Sequence, residues 1–207
     1  MKKNKKAHWE KVYKTKKSEQ VSWTQSIPQT SLDFIHGFNL SKTDKIIDIG
    51  GGDSKLVDYL LQEGFTNISV LDISEAALLK VKDRLGEKSK TVTWIVSDIA
   101  DFQPEEHYDL WHDRATFHFL TEGEQIEKYL ATAGRVINNY LVIGTFSENG
   151  PQKCSGLPVK QYSEIQLQKQ LKKHFSKIRC INEDHLTPFQ TTQNFLFCSF
   201  KRQQANN

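Results

Sequence analysis

Asp48, Asp72 and Asp98 each follow a short apolar run, and His112, Asp113 and Arg114 crowd together at the end of a fourth. Carboxylates at strand ends accept hydrogen bonds from a ligand's hydroxyl and amino groups. Asp72 stands twenty positions beyond Gly52, where an acid can take both hydroxyls of a ribose, each charge-assisted bond contributing roughly 1.5–3 kcal/mol. Arg114 offers the fork that grips a carboxylate through two parallel hydrogen bonds, whether that carboxylate belongs to a cofactor or to a substrate. His112 and Asp113 are able to accept a proton or orient a nucleophile, which makes them the candidate catalytic residues. The competing reading is an internal pairing of Asp113 with Arg114 or His112 that only holds the loop. Cys154, Cys180 and Cys198 are few and widely spaced, with neither metal-ligand nor redox spacing, so no metal site is expected.

These groups need a scaffold that gathers strand ends. Residues 45–54, Lys-Ile-Ile-Asp-Ile-Gly-Gly-Gly-Asp-Ser, supply its centre. Ile46, Ile47 and Ile49 are β-branched and too few for a helix, so they predict a strand buried on both faces. Gly50, Gly51 and Gly52 then make a turn in which the backbone can approach a ligand closely. Asp53 or Ser54 is placed to cap a helix whose Leu56, Val57, Leu60 and Leu61 share one face and which stops at Gly64. A phosphate loop of the form Gly-x-x-x-x-Gly-Lys-Ser/Thr has no match. The dinucleotide fingerprint fails at its third glycine, where Lys55 stands, and this argues against NAD because that glycine lets helix pack on strand beside a pyrophosphate.

The same patterning predicts strands at 68–71, 91–96, within 108–115, and at 140–146. Between them fall a helix at 28–38, one capped by Ser74 and ended by Gly86, and one opened by a Thr121–Glu124 capping box. The last of these carries Ile126, Tyr129, Leu130, Ala133, Val136 and Ile137 on its apolar face. Residues 147–160 have no regular pattern, and a loop that long is usually functional or disordered. A helix from Ser163 precedes two strands near 177–181 and 194–201, joined by a turn with Pro188. Strands alternating with helices indicate one α/β domain with a parallel sheet covered on both faces. A net charge of +3 is too small to imply nucleic acid, and no apolar stretch is long enough to span a bilayer. A cytoplasmic, reduced protein is expected.

The pattern Asp48-x-Gly50-x-Gly52, followed by Asp72 and by Asp98-Ile99 at the next two strand ends, resembles the class I S-adenosylmethionine-dependent methyltransferases. The resemblance implies a Rossmann-like seven-stranded sheet in the order 3-2-1-4-5-7-6, its last strand antiparallel, with helices on both faces. It implies S-adenosyl-L-methionine as cofactor and S-adenosyl-L-homocysteine as product. The implied contacts are Asp48, Gly50, Gly51, Gly52, Asp72, Ile73, Asp98, Ile99, Arg114 and Trp23. In that family the glycine loop passes under the methionine part, the third strand's Asp meets the adenine amino group and the next apolar residue covers the ring. Ser54 stands where the family often has a further glycine.

Residues 108–120 correspond to the family's region leading to the methionine end and the substrate. His118 falls where the family often has a structural histidine. The run His8-Trp9-Glu10-Lys11-Val12-Tyr13, followed by Val21-Ser22-Trp23, looks like the amino-terminal lid of the thiopurine and tellurite-resistance enzymes. Lys153-Cys154-Ser155-Gly156-Leu157-Pro158 resembles a segment of bacterial members and of citrate synthase lysine methyltransferase-like proteins. The organisation so implied is a single domain, 1–207, with a lid at 1–26, a core at 27–202 and a tail at 203–207. The implied activity is in-line methyl transfer to a small molecule or a protein lysine, with no nucleic acid or membrane involved, by a monomer or weak dimer. Alignment alone can supply roughly 7–11 kcal/mol, so no dedicated base is needed for a thiolate or neutral amine. A non-catalytic S-adenosylmethionine- or nucleotide-binding protein and an NAD-linked oxidoreductase are the alternatives.

Overall fold

A computed structural model describes residues 4–203, so the first residues of the expected lid and nearly all of the expected tail lie outside the described residues. The strands are β1 (Ile46–Ile49), β2 (Ile68–Asp72), β3 (Val92–Val96), β4 (Tyr108–Arg114), β5 (Ile137–Phe146), β6 (Phe175–Leu186) and β7 (Thr192–Arg202). They form one seven-stranded sheet in the order 3-2-1-4-5-7-6. Strands β1 to β5 are parallel, and β7 enters antiparallel between β5 and β6. This is the expected Rossmann-like arrangement.

The central strands are apolar on both sides because both sides are covered. Ile46, Leu110 and Val142 face α2 (Gln29–His36), α3 (Leu56–Gln62) and α4 (Glu75–Leu85), whose Leu32, Phe34, Leu56, Leu60, Leu78 and Val81 complete one core. Ile47, Ile49, Trp111, Leu141 and Ile143 face α5 (Gly123–Val136) and α6 (Glu164–Leu171) in the other. Each large side chain so buried contributes about 1.5–3 kcal/mol. The first helix, α1 (Lys5–Thr15), belongs to neither layer and lies across α4. Its amino end is capped by Asn4, whose side chain accepts the Ala7 N–H at 3.1 Å.

Several local expectations need correction. Helix α5 begins at Gly123 after Glu122, without the Thr121–Glu124 capping box, and Ile137 has left the helix to open β5. Lys55 holds the cap position of α3, although Ser54 Oγ still accepts the first helical N–H, from Leu56, at 3.1 Å. Within 147–160, two short strands, Lys153–Cys154 and Leu157–Pro158, pair as a small hairpin. The closing strands are longer than their apolar centres and form a hairpin in which Cys180 stands opposite Cys198. The two are joined in a disulfide, which corrects the expectation of reduced cysteines; antiparallel register brings together residues 18 apart. Among the described residues no helix is long and apolar enough to cross a membrane.

Candidate functional site

The carboxyl ends of β1 to β4 open on one crevice, the place where open parallel sheets bind ligands. Its floor is the glycine turn. Gly50 has φ 64° and Gly52 φ 51°, a region open to glycine at no steric cost. A Cβ on Gly50 would overlap Thr116 Oγ1, whose hydroxyl donates to the Ile49 carbonyl at 3.2 Å. On Gly51 it would stand 2.6 Å from Val70 Cγ1 and 2.8 Å from Asp48 Oδ2. On Gly52 it would strike the Tyr13 hydroxyl, which covers that glycine from α1. The far end of the turn is pinned by Arg84 of α4, which donates to the Asp53 carbonyl at 3.1 Å, the Ser54 carbonyl at 2.7 Å and the Asp58 carboxylate at 2.7 Å.

The strand-end acids lie beside this floor. Asp72 is buried; its Oδ1 accepts the Ser74 N–H at 2.8 Å, and Gly52 N–H also reaches the carboxylate. Burial outweighs both and raises its carboxyl to about 7. The Tyr13 hydroxyl is pushed well above its ordinary value by burial and by the charges of Asp72 and Asp53. Asp98 accepts the Ala100 N–H at 3.0 Å and lines the crevice together with Ile73 and Ile99.

At the end of β4, neighbouring side chains part to opposite faces. His112 points to the crevice side, where its Nδ1 meets Asp48 Oδ1 at 2.7 Å and its Nε2 meets Ser31 Oγ at 2.9 Å. With Nδ1 donating to the Asp48 carboxylate, Nε2 is the nitrogen left to accept from the Ser31 hydroxyl. The result is a buried Asp48–His112–Ser31 chain along the wall of the crevice.

Asp113 points the other way. Its Oδ1 accepts the Thr116 and Phe117 N–H groups, each at 3.1 Å, and its Oδ2 accepts the Tyr129 hydroxyl at 2.9 Å. Tyr129 in turn accepts from Trp111 Nε1 at 2.9 Å. Burial lifts the Asp113 carboxyl to about 7 despite these bonds. Both oxygens are occupied on the α5 side and Asp113 is not among the residues lining the crevice, an arrangement that holds the β4 turn. Neither of the anticipated pairings, with Arg114 or with His112, forms.

Arg114 returns to the crevice side, donates from Nη1 to the Trp23 carbonyl at 3.0 Å and lies over the Phe195 ring at 4.9 Å. Burial pulls its guanidinium down to about 10, against the charges of Glu183 and Asp48. His118 is buried flat against Phe146 at 4.3 Å and pushed down to about 3 by burial and by Arg114, so it stays neutral. The Cys154 thiol is buried and raised to about 11, which removes it as a nucleophile near neutral pH.

A roof of aromatic rings closes the crevice. Trp9 meets Trp23 at 5.5 Å and Phe119 at 5.2 Å, and Tyr13 meets Trp23 at 6.2 Å. Lys5 ties α1 to the Phe119 carbonyl at 2.7 Å. The Glu10 carboxylate accepts the Glu75 and Ala76 N–H groups at the start of α4, at 2.6 and 3.4 Å. Ser31 and Thr116 were not legible as site residues. Each joins its partner over a long sequence separation, and nothing in its local pattern marks it. Among the described residues no group of three or more His, Cys, Asp or Glu is placed to hold a metal ion.

Residues 46–139 match a family model described as a methyltransferase domain. The chain is 25% identical over 159 residues to the eEF1A lysine and N-terminal methyltransferase of Mus musculus, covering 72% of this chain and 22% of that protein. It is 29% identical over 124 residues to malonyl-[acyl-carrier protein] O-methyltransferase 2 of Ilyobacter polytropus, covering 58% of this chain and 48% of the relative. The chain thus spans less than half the length of either. A structure from work on the conversion of a disulfide bond into a thioacetal group during echinomycin biosynthesis superposes with a TM-score of 0.79 at 15% identity, covering 97% of this chain and 94% of that one. The N-methyltransferase NodS from Bradyrhizobium japonicum WM9, in complex with S-adenosyl-L-homocysteine, gives 0.72 at 12% identity, covering 95% and 100%.

Proposed function

Since the chain belongs to the class I S-adenosylmethionine-dependent methyltransferases, we propose that it moves a methyl group from S-adenosyl-L-methionine to an acceptor that is a small molecule or a protein lysine. The observation that carries this reading is the glycine floor, where an added Cβ at Gly50 or Gly51 would collide with its neighbours, set beside the strand-end acids Asp72 and Asp98. Such a floor suits a ligand lying directly on backbone, and the acids suit its hydroxyl and amino groups. On this reading Asp72 takes the ribose hydroxyls, and Asp98, with Ile73 and Ile99, takes the adenine. Gly50 and Gly51 run beneath the methionine part with Asp48 below them, Gly52 shapes the turn, and Trp23 closes above.

When bound, S-adenosyl-L-methionine supplies a methyl group already activated by its sulfonium charge, so the chain's task is alignment and exclusion of water. The ring cluster of Trp9, Tyr13, Trp23 and Phe119 excludes water. For an acceptor that must shed a proton, Ser31 Oγ hands it to His112 Nε2 while Asp48 steadies the charged ring. The reading takes 1–26 as a lid on a core at 27–202, in a cytoplasmic monomer or weak dimer that needs neither nucleic acid nor membrane. The relatives' names, an eEF1A lysine and N-terminal methyltransferase and a malonyl-[acyl-carrier protein] O-methyltransferase, support a protein lysine or a carried acyl group as the kind of acceptor.

Tryptophan fluorescence titrated with S-adenosylmethionine, S-adenosylhomocysteine and NAD tests the assignment. The first two are expected to bind; binding of NAD alone would overturn it. Tritiated methyl transfer into size-fractionated cell extract then separates small-molecule from protein acceptors.

A further inference from the structure

Arg114 carries more hydrogen-bonding capacity than the protein uses. Nη1 is committed to the Trp23 carbonyl, but Nε and Nη2 are both buried without a partner. Those two atoms form the side-on edge of a guanidinium, the edge that meets both oxygens of a carboxylate. The stacking on Phe195 and the bond to Trp23 fix the plane of that edge before any ligand arrives.

The surroundings leave it undercompensated. Asp48 acts on it from a distance but is bonded to His112. Glu183, across on β6, also acts on it, yet no ion pair joins the two among the described residues, and Glu183 Oε2 is itself buried without a partner. His118 and His185 are both pushed down by burial and by Arg114, so neither adds positive charge. Cys154 is held as a neutral thiol. A buried guanidinium with its binding edge unfilled is costly unless something fills it.

Its place in the sheet says which ligand. Asp72 and Asp98 lie at the tips of β2 and β3, whereas Arg114 leans the opposite way, onto Phe195 of β7 and toward Glu183 of β6. We propose that this end of the crevice is the acceptor subsite, that Arg114 grips a carboxylate there through Nε and Nη2, and that the methyl acceptor is therefore an organic acid. This rests on the methyltransferase reading and narrows it. Trp23, whose carbonyl orients the guanidinium, joins the two ends of the crevice, so one segment covers cofactor and acid alike.

The test uses the full chain saturated with S-adenosylhomocysteine and calorimetric titration with matched pairs: acetate, hexanoate, benzoate and phenylacetate against their amides. At least one acid is expected to bind about tenfold or more tightly than its amide, as a bidentate charge-assisted contact implies. Arg114→Gln should bring that pair within about twofold while S-adenosylhomocysteine affinity changes less than about threefold. Arg114→Lys, which keeps the charge but loses the fork, should retain only part of the preference. The inference is overturned if no acid outbinds its amide, or if the preference survives Arg114→Gln. It is also overturned if Arg114→Gln costs tenfold or more in S-adenosylhomocysteine affinity, which would put Arg114 on the cofactor's own carboxylate. Failure of the wild-type protein to bind S-adenosylhomocysteine at all would instead remove the methyltransferase reading beneath it.

Discussion

Cofactor affinity should rise with pH across neutrality, and Asp72 sets the slope. Burial lifts its carboxyl to about 7, whereas an aspartate in an unfolded chain titrates near about 3.9. A pair of ribose hydroxyls donates, so the form that binds well is the ionised one, which accepts through both oxygens. With a midpoint at about 7, roughly a tenth of the protein is competent at pH 6 and roughly nine-tenths at pH 8. The apparent Kd for S-adenosylhomocysteine should therefore fall about tenfold over that interval. Stability of the ligand-free protein runs the other way. The folded carboxyl holds its proton more tightly than the unfolded one, so its contribution is whole below about pH 4 and is lost as pH rises through about 7, an effect of order 4 kcal/mol. Asp113, raised to the same range, adds a loss of the same sign.

The measurement is a fluorescence titration with S-adenosylhomocysteine at pH 6, 7 and 8, with urea midpoints recorded on the ligand-free protein at each pH. Asp72→Asn is the discriminator because it stays neutral throughout. It should bind at least about tenfold more weakly than the wild type at pH 8 and show little slope. A flat wild-type profile, or an equal slope in Asp72→Asn, would refute Asp72 as the ribose acceptor.

Gly50→Ala combines an overlap with Thr116 and a left-handed backbone, and should lower the unfolding free energy by roughly 2–5 kcal/mol and abolish measurable cofactor binding; near-normal affinity would mean that the ligand does not lie on this turn. A Cβ at Gly52 would strike the Tyr13 hydroxyl hardest and come within 3.2 Å of that ring's Cζ, so Tyr13→Phe, which removes the worse overlap, should recover part of the binding lost in Gly52→Ala. Asp113→Ala strands two N–H groups and the Tyr129 hydroxyl, and its urea midpoint should fall by the equivalent of about 3–5 kcal/mol; lost turnover at unchanged stability would return Asp113 to the chemistry. Native protein should react with iodoacetamide far more slowly than a free thiol does, because Cys154 is buried and raised to about 11, and non-reducing peptide maps should link Cys180 to Cys198.

The sheet was legible because its evidence is local. Ile46, Ile47 and Ile49 before three glycines can hardly be anything but a buried strand entering a turn, and the acids after the next two apolar runs repeat the signal. The order of the closing strands came from the family resemblance, and β7 takes the place that the resemblance implied. The part that stayed hidden is alternation at a strand end. His112, Asp113 and Arg114 are adjacent in sequence and look like one cluster, but successive side chains of a strand face opposite ways, so the middle one serves α5 and only its neighbours reach the crevice. Ser31 lies 81 positions from His112 and carries no local mark. The Cys180–Cys198 pair depends on hairpin register, which the extent of the two strands decides and their apolar centres do not reveal.

The tether between α1 and α4 bears on turnover. A single carboxylate, Glu10, reaches the two leading N–H groups of α4, and Lys80 from the same helix returns a bond to the Lys16 carbonyl at 2.7 Å. On the proposed reading, in which α1 belongs to a lid, these polar links hold that lid over the crevice, and the residence time of a spent nucleoside is then bounded below by how often they let go. Weakening them, with every group around the reacting atoms untouched, would shorten that dwell and quicken the cycle wherever departure is the slow event.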